Sequence, residues 1–344
     1  MPLITIEENP FNAETELADL AQTVTPTERF FVRSHFPVPK LDATGFRLRL
    51  DGAVQDPLEV DLKRIQALRA RHVMLTLECA GNGRTVLEPP VPGVRWGFGA
   101  VGTAQFTGTP VRHLLDLSRV RESAKEVLFI GADRGEVEPG RTVAFERSLP
   151  LEVAMENDTL LAWEMNGEPL TADHGAPLRL VVPRWYAVAS VKWLTGIRLL
   201  TETFAGHYQG EKYVYEKEAG TRERTPVQAM RVRAIMAHPV EDENLAAGAV
   251  EIRGMAWGEA AIRKVDVSTD GGASWDEAAL GTAPSPHAWT PWSLRWVPPR
   301  PGEHILMARA RDAEGRTQPL ESSWNTQGYG NNVVQRVRVI AGAG

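Results

Sequence analysis

The only cysteine of this 344-residue chain, Cys79, lies in a segment, residues 75–84, that reads LTLECAGNGR. A lone cysteine cannot form an intrachain disulfide, so it is either an inert packing residue or a centre of chemistry. Apolar residues alternate before it, which predicts a strand that ends at the thiol. The glycines that follow let a bulky group approach the backbone, and Arg84 supplies a positive charge that favours the thiolate. The pattern therefore favours chemistry over packing at Cys79.

Three other segments place cationic or hydrogen-bonding side chains beside prolines, glycines or strand ends. They read RSH at residues 33–35, DHGAPLR at residues 173–179 and SVK at residues 190–192. Each segment alone is also compatible with an ordinary surface or structural role. Lys192, however, lies in an apolar run, and an unpaired buried charge is costly, so we expect its ammonium group to reach an anion or a carboxylate. Together the segments form a donor set suited to a multiply charged cofactor that carries a phosphate.

Six blocks of residues stand out in order along the chain. They are residues 31–39 (FVRSHFPVP), 78–84 (ECAGNGR), Trp96 with residues 102–104 (GTA), 160–170 (LLAWEMNGEPL), 173–179 (DHGAPLR) and 190–194 (SVKWL). In this order they resemble the sulfite oxidase family of molybdenum enzymes. The resemblance implies a molybdenum–molybdopterin cofactor with one pyranopterin per molybdenum. We see neither a haem-binding domain before residue 30 nor a Cys-x-x-Cys-His motif, so we expect no haem and an external electron acceptor.

The resemblance also implies which residues hold the cofactor. Cys79 is the expected molybdenum ligand, because a soft thiolate suits this metal and metal binding removes the thiol proton. The other expected cofactor-binding residues match the family's pterin-binding positions, with the cationic members on the cofactor phosphate. They are Phe31, Val32, Arg33, Ser34, His35, Asp133, His174, Arg179, Ser190, Val191 and Lys192.

Enzymes of the family oxidise sulfite to sulfate by oxygen-atom transfer at molybdenum, and the resemblance implies a substrate pocket for this anion. Its matching residues are Arg33, Arg84, Trp96 and Tyr213. The motif Trp-Asn-x-Arg-Gly reads WNTQG here, so Gln327 replaces the usual arginine. Glutamine keeps hydrogen-bonding ability but loses a charge, which weakens anion binding by roughly 1.5–3 kcal/mol. Sulfite is the expected substrate, and another small oxyanion or an S-oxide, including reductive transfer, stays open as the alternative.

Three further positions depart from the family pattern. Gly83 lies where an arginine is common in animal members, and Pro92 lies where a pocket lysine is common. Arg184 replaces a usual glycine. We hypothesise that Arg184 restores part of the charge lost at Gln327, a hypothesis that fails if Arg184 is paired elsewhere.

Composition excludes several other classes of protein. The net charge is −6 with 43% hydrophobic residues, and no basic stripe supports nucleic-acid binding. No run of 18 apolar residues indicates a membrane span. A single cysteine argues against a disulfide scaffold or a zinc–thiolate cluster. No export signal is visible at the N-terminus, so we expect a cytoplasmic protein, or a periplasmic one if the chain is a trimmed mature form.

Three regions are expected to position these residues. Residues 1–28 are polar and acidic and predict an N-terminal arm that packs loosely. Residues 29–224 mix short strands and helices without regular βαβ spacing, which favours an α+β fold for the molybdopterin-binding domain. Residues 225–344 lose helical periodicity, and their short strands and turns predict an immunoglobulin-like β-sandwich. This last region matches the family's dimerisation domain, which implies a homodimer.

Local patterns give the expected elements. Helices are predicted over residues 58–71, 111–117 and 149–155, and a strand over residues 190–200. In the C-terminal region a turn is predicted at residues 270–272, and strands are predicted over residues 231–237, 249–256, 262–269, 291–297, 303–311 and 333–340.

Overall fold

Strands dominate the fold, a computed structural model that describes residues 3–216 and 224–342. The α-helices of these ranges are short, and they are α1 (Leu62–Gln66), α2 (Val111–Ser118) and α3 (Leu151–Ala154). Other helical turns are the 3-10 turns Leu17–Ala21, Thr27–Arg29, Arg84–Val86 and Ala187–Ala189 and the π-helical turn His207–Lys212. Within the same ranges, no helix has the length and apolar composition needed to cross a membrane.

The N-terminal domain contains two five-stranded sheets and two small hairpins. Its strands are β1 (Ile4–Glu7), β2 (Asn12–Glu14), β3 (Leu48–Gly52), β4 (Leu58–Val60), β5 (Arg71–Glu78), β6 (Val101–Pro110), β7 (Glu126–Glu138), β8 (Arg141–Pro150), β9 (Leu160–Met165), β10 (Glu168–Pro169), β11 (Arg179–Val181), β12 (Leu194–Leu200), β13 (Val214–Glu216) and β14 (Arg224–Pro226). One sheet has the order β10-β9-β6-β5, with β11 paired to β9, and the other has the order β4-β3-β12-β7-β8. A hydrophobic cluster containing Leu75, Leu77 and Phe106 packs at the first sheet and includes Cys79.

The helix predicted over residues 58–71 is much shorter in the structure. Leu58–Val60 pairs with β3 instead, and only the five residues of α1 are helical. The Asp61 carboxylate caps α1 by accepting from the backbone N–H of Arg64 at 2.8 Å. From Arg71 the chain enters β5. Strand pairing therefore outweighs the helical periodicity at both ends of this segment.

Two other predicted boundaries also shift, whereas α2 begins at Val111 as predicted. The third helix starts at Leu151 because residues 149 and 150 still pair in β8. The strand predicted over residues 190–200 begins only at Leu194, since Trp193 has a φ of 50° that interrupts extended backbone. Lys192 therefore lies in a turn and not, as predicted, in a strand.

The N-terminal arm is packed tightly, so the prediction of loose packing was wrong. Asn12, Leu20 and Thr25 are almost fully buried. The backbone of Ala13 exchanges two hydrogen bonds with Val32, at 3.0 and 2.8 Å. The arm therefore belongs to the first domain and holds the segment that carries the RSH motif.

The C-terminal domain is a β-sandwich. Six of its strands in the described residues lie within a few residues of those predicted, whereas the short strands Glu243–Leu245, Asp276–Glu277 and Ala279–Leu280 were not predicted. The strands of this domain are β15 (Arg233–His238), β16 (Glu243–Leu245), β17 (Val250–Trp257), β18 (Ile262–Ser268), β19 (Asp276–Glu277), β20 (Ala279–Leu280), β21 (Thr290–Trp296), β22 (Gly302–Asp312) and β23 (Gln335–Ala341). The sheets β15-β17-β21-β20 and β16-β23-β22-β18-β19 share one core that contains Ile252 and Trp292 from the first and Leu306 from the second. The turn after β18 is confirmed, and the immunoglobulin-like topology stays a prediction.

The sandwich binds directly to β5, the strand that leads to Cys79. The loop before β21 runs beside this strand, where the backbone N–H of Thr76 donates to the carbonyl of His287 at 3.0 Å. The hydroxyl of Thr76 accepts from the backbone N–H of Trp289 at 2.8 Å. The two domains therefore share hydrogen bonds next to the candidate site.

Candidate active site

A cavity with about 660 Å³ of space free of protein atoms lies beside the end of β5. Segments that are distant in sequence converge on it, and four of the six motif blocks contribute lining residues. The predicted site residues that line it are Phe31, Arg33, His35, Cys79, Asp133, His174, Arg179, Ser190, Lys192 and Tyr213.

Three predicted cofactor-binding residues, Val32, Ser34 and Val191, are not among the lining residues. Side chains alternate between the two sides of an extended chain, so Val32 and Ser34 face away where their neighbours face the cavity. Ser34 still contributes, because its hydroxyl accepts a hydrogen bond from Lys192 Nζ at 3.2 Å. Val191 is fully buried. The motif blocks identified the segments, but they did not resolve which side chains face the cavity.

Cys79 lines the cavity with 5% of its surface exposed. Its backbone N–H donates to the carbonyl of Ala100 at 2.9 Å. Burial raises the pKa of the thiol, and the opposing positive charges of Arg33 and, more weakly, Arg84 do not offset this effect. Arg84 favours the thiolate, as expected from the sequence, but its effect is smaller than that of burial, so the pKa of the thiol stays above its usual value. The thiol stays protonated until a metal displaces the proton.

Lys192 and Asp133 share the cavity wall, and burial weakens the charge of both. Lys192 Nζ donates to the backbone carbonyl of Asp173 at 2.7 Å and lies 4.1 Å from the centre of the Trp193 ring. Burial, reinforced by repulsion from Arg179, lowers the pKa of Lys192 to about 7. Burial raises the pKa of Asp133 to about 6, and its Oδ1 atom is buried without a hydrogen-bond partner.

Arg179 and His174 form the adjacent wall. Arg179 donates to the carbonyls of His174 at 3.0 Å and Ser190 at 3.3 Å, and burial lowers the pKa of its guanidinium to about 10. Burial and the nearby cations lower the pKa of His174 to about 3, so its ring is neutral. Its Nε2 atom lies 3.1 Å from the carbonyl of Thr27, which must accept, so Nδ1 is left as an acceptor.

The cavity is strongly cationic. Arg33 donates to the side-chain oxygen of Asn12 at 3.2 Å and to the carbonyl of Ser34. In the part of the chain that the structure describes, Arg33, Arg179 and Lys192 donate only to uncharged oxygens. Asp133 and Asp173 offset only part of this positive charge, and buried charge without a hydrogen-bonded counter-ion is costly, so this wall is suited to an anionic ligand.

Tyr213 and His35 form a hydrogen-bonded pair at the cavity, with 2.7 Å between the hydroxyl oxygen and Nε2. His35 stacks on Phe145 with 4.7 Å between ring centres. Burial raises the pKa of Tyr213, with Arg33 opposing, and lowers that of His35 far below its usual value. The pair therefore presents a protonated phenol and a neutral imidazole. Tyr213 directly follows the π-helical turn, a local geometry that is frequent at functional sites.

Comparison with known proteins agrees with the site. The family model described as an oxidoreductase molybdopterin binding domain matches residues 35–208, and that described as a Mo-co oxidoreductase dimerisation domain matches residues 224–342. The mitochondrial sulfite oxidase of Rattus norvegicus is 34% identical over 355 residues. The sulfite oxidase of Arabidopsis thaliana is 32% identical over 365 residues, which cover 97% of this chain and 92% of that protein. The chain belongs to the sulfite oxidase family.

A solved structure of this fold is also similar. The crystal structure of the sulfane dehydrogenase SoxCD from Paracoccus pantotrophus matches with a TM-score of 0.85 and 27% identity, over 96% of this chain and 84% of that one. The alignment with the rat enzyme covers 96% of this chain and 64% of that relative. This chain therefore spans less than two thirds of the length of the mitochondrial sulfite oxidase that it matches.

The residues present fit the cofactor of the sulfite oxidase family. Cys79 offers one soft ligand, the cations are free to bind an anion, and Asp133 Oδ1 is left for a donor. Within residues 3–216 and 224–342, no cluster of three His, Cys, Asp or Glu side chains could hold a metal by itself. A metal held by Cys79 would therefore need further ligands from a bound organic group, and the dithiolene of a pyranopterin would supply them.

Three residues predicted for the substrate pocket, Arg84, Trp96 and Gln327, are not among the lining residues of the cavity. Arg84 donates to the carbonyls of Val94 at 2.8 Å and Gln327 at 3.0 Å, and it lies 5.0 Å from the centre of the Tyr329 ring. Trp96 is fully buried. Their roles toward substrate stay predictions.

The hypothesis that Arg184 restores the missing charge was wrong. Arg184 Nη2 lies 2.8 Å from the Glu156 carboxylate, and its side chain is 40% exposed. Its φ of 66° also explains why glycine is usual in the family at this position.

Sequence reasoning missed several residues that shape the site. Phe30, Phe145 and Trp193 line the cavity, and Tyr329 stacks on Tyr213 with 4.5 Å between ring centres. Phe30 and Trp193 adjoin the motif blocks, so their neighbours could have identified them. Phe145 carries no local signal, because it is one apolar residue of β8 that happens to face this cavity.

Proposed function

We propose that this chain is a molybdenum oxidoreductase that oxidises sulfite to sulfate by oxygen-atom transfer and passes the electrons to an external acceptor. The observation that supports it most is the convergence, in one cavity, of the single thiol with cations bound only by neutral oxygens. A bound molybdenum–molybdopterin group would supply the oxygen-atom transfer and take up two electrons. The protein supplies binding, orientation and charge.

The cofactor-binding half of the cavity divides the work among four side chains. Cys79 is the metal ligand. Lys192 and Arg179 neutralise the phosphate, and binding of an anion raises the pKa of Lys192 from about 7, so the lysine becomes fully charged. Neutral His174 presents Nδ1 as an acceptor for N–H groups of the pterin.

Arg33 and Tyr213 form the substrate half. Arg33 is the cation that most favours the thiolate of Cys79, so it lies where an anion approaching the metal ligand would meet it. The Tyr213 hydroxyl stays protonated and is oriented by His35, so it can donate to an oxygen of sulfite or sulfate. Both groups stabilise the negative charge that grows on the product oxyanion.

A second candidate function is oxygen-atom transfer on another small sulfur compound, an S-oxide or a different oxyanion. Gln327 replaces a charged residue, and Arg84 is bound by two carbonyls outside the cavity wall, so less positive charge faces the substrate than the family pattern implies. The structural relative SoxCD bears the name sulfane dehydrogenase, which is compatible with such a substrate.

The C-terminal sandwich supports a further part of the proposal, a homodimer. Residues 224–342 match the dimerisation domain model of the family. Sedimentation of the purified protein should give twice the mass of one 37.9 kDa chain, and a single-chain mass would contradict it.

Metal analysis and steady-state kinetics test the proposal together. The protein is produced in a host that makes the cofactor, and one molybdenum per chain is expected. Sulfite with an artificial acceptor should give a kcat/KM above about 10⁴ M⁻¹s⁻¹, the lower range of typical enzymes. Full metal content with a far lower value favours the second candidate, whereas protein without molybdenum contradicts both.

Arg33 gives the sharpest single-residue test of the substrate half. Arg33→Gln should lower kcat/KM for sulfite by about 10²–10³, the usual loss on removing a preorganised donor. The matched control is Arg184→Gln, because Arg184 is paired with Glu156 at the surface. Equal losses in both variants would remove Arg33 from its proposed role.

A further inference from the structure

Glu78, the residue before Cys79, carries a buried carboxylate, and both of its oxygen atoms accept hydrogen bonds. Its Oε1 atom accepts from Arg233 Nη1 at 2.8 Å and from Asn82 Nδ2 at 3.1 Å. Its Oε2 atom accepts from Trp257 Nε1 at 2.9 Å. Arg233 and Trp257 belong to strands β15 and β17 of the C-terminal sandwich. The strand that presents the thiol is therefore tied at its last residue to the other domain.

Arg233 also explains a departure from the family pattern. Gly83 has a φ of 78°, and a Cβ atom there would lie 2.5 Å from Arg233 Nη2. A side chain at this position, where animal members commonly carry an arginine, would therefore have a strained backbone in this chain and would displace a guanidinium of the C-terminal domain. Arg233 is as buried as Glu78, with 2% and 1% of the side chains exposed.

The backbone of the Cys79 loop, residues 79–83, is held in the same way. Its first and third carbonyls accept from backbone N–H groups of Asn82 and Arg84. The other three accept from the C-terminal domain: Ala80 O from the Gly330 N–H at 2.8 Å, Asn82 O from Arg233 at 3.1 Å and Gly83 O from Asn331 at 2.7 Å. All five carbonyl groups of this loop therefore accept hydrogen bonds, which restrains its backbone.

We propose that Glu78, Arg233 and Trp257 form an inter-domain clamp that fixes the Cys79 thiol in position for the metal. These are positioning residues, since they act through the loop and not on substrate. The inference rests on the proposed function in taking Cys79 as the metal ligand. It adds that the sandwich has a second task besides dimerisation, because its donors rigidify the metal-binding loop.

A matched pair of tryptophans separates the clamp from general packing. Trp257→Phe removes the donor to Glu78, whereas Trp292→Phe removes a buried indole of the same sandwich whose Nε1 has no partner. Neither change alters a charge, so neither changes the thiol pKa through a lost ion. Trp292 lies in the sandwich core and outside the site.

The readout uses the cofactor-free protein, in which the only cysteine is Cys79. The rate of reaction with a thiol reagent then reports how often this loop opens. We expect Trp257→Phe to raise the rate about tenfold or more, as loss of one hydrogen bond to a charged group implies, and Trp292→Phe to leave it within about twofold. Equal rates in all three proteins, or equal acceleration in both variants, would overturn the clamp.

A second measurement uses the loaded protein. Trp257→Phe and Arg233→Lys should shift the absorption band of the thiolate–molybdenum bond and lower kcat while KM for sulfite changes little, since substrate contacts are intact. An unchanged band with unchanged kcat contradicts the clamp. Failure of the proposed function gives a different result, because the protein produced in a host that makes the cofactor would then contain no molybdenum. The thiol-labelling result does not depend on the metal and tests the clamp independently.

Discussion

Two groups of buried charged side chains border Cys79, and their charges are compensated in different ways. In the cavity, Arg33 and Lys192 donate to neutral oxygens in the described residues. Behind the Cys79 loop, Glu78 and Arg233 form an ion pair of 2.8 Å with Trp257 as an additional donor. Both arrangements are desolvated, but only in the second does the cation donate directly to a carboxylate. The contrast distinguishes the cavity wall, which is suited to binding an anion, from the ion pair behind the Cys79 loop, which supports the structure.

The largest expected effect comes from breaking the buried ion pair between Glu78 and Arg233. Arg233→Met leaves the Glu78 carboxylate buried without its cation and should destabilise the cofactor-free protein by about 3–5 kcal/mol, the usual cost of breaking one partner of a buried pair. Denaturant unfolding measures it. The double variant Glu78→Met with Arg233→Met should recover part of the loss, and a loss equal to the sum of the single variants would contradict a pair.

The second prediction has the opposite sign. Lys192→Met removes a buried cation whose desolvation outweighs the attraction of Asp133 and Asp173, so it should stabilise the cofactor-free protein by about 1–3 kcal/mol, while it lowers cofactor content. Unfolding and pterin analysis are measured on the same preparations. Lys264→Met, at a surface ion pair with Asp266, serves as the control. Destabilisation of the cofactor-free protein would show that Lys192 is structural.

The third prediction concerns pH. The pKa of Lys192 is about 7 in the folded protein and 10.5 when unperturbed, so the unfolded chain binds more protons above pH 7. The free energy of unfolding of the cofactor-free protein should therefore rise between pH 7 and about 9, by at most about 1.4 kcal/mol per pH unit from this group. Lys192→Met should flatten the rise. A slope that is the same in both proteins would assign it to another group.

The smallest expected effect concerns an ion pair at the surface, which serves as a reference for the two buried groups. Arg184 and Glu156 form an ion pair whose side chains are 40% and 39% exposed. Arg184→Gln should change the free energy of unfolding by no more than about 1 kcal/mol and leave kcat/KM for sulfite almost unchanged. A large loss of activity would restore the rejected idea that Arg184 supplies charge to the substrate.

The sequence predicted the cavity residues better than their supports. Cys79, Arg33 and Lys192 stand in short motifs where residue type and neighbouring turns carry the information. Glu78 also stands in such a motif, but its partner Arg233 is 155 residues away. Nothing in the local pattern of either residue indicates that they pair, because the contact exists only once the sandwich is docked.

The shifted element boundaries have a related cause. Residues 58–60 have helical periodicity, yet they pair with β3 because an adjacent strand edge satisfies their backbone groups. Trp193 interrupts the predicted strand through its positive φ, which no propensity rule indicates for a tryptophan. Local preference was overridden in both cases by tertiary contacts. Six longer strands of the sandwich were predicted within a few residues, whereas its strands of two or three residues are too short to show an alternating pattern and were not predicted.

The most direct test of the account compares wild type with Cys79→Ser, loaded in a host that makes the cofactor. We expect one molybdenum per wild-type chain and an absorption spectrum with a thiolate–molybdenum band. In Cys79→Ser, pterin contacts from Lys192 and Arg179 retain part of the metal, but the band is lost and sulfite oxidation falls by more than the roughly 100-fold that loss of an outer-shell partner costs. An unchanged spectrum in the variant would remove Cys79 from the metal and contradict the account.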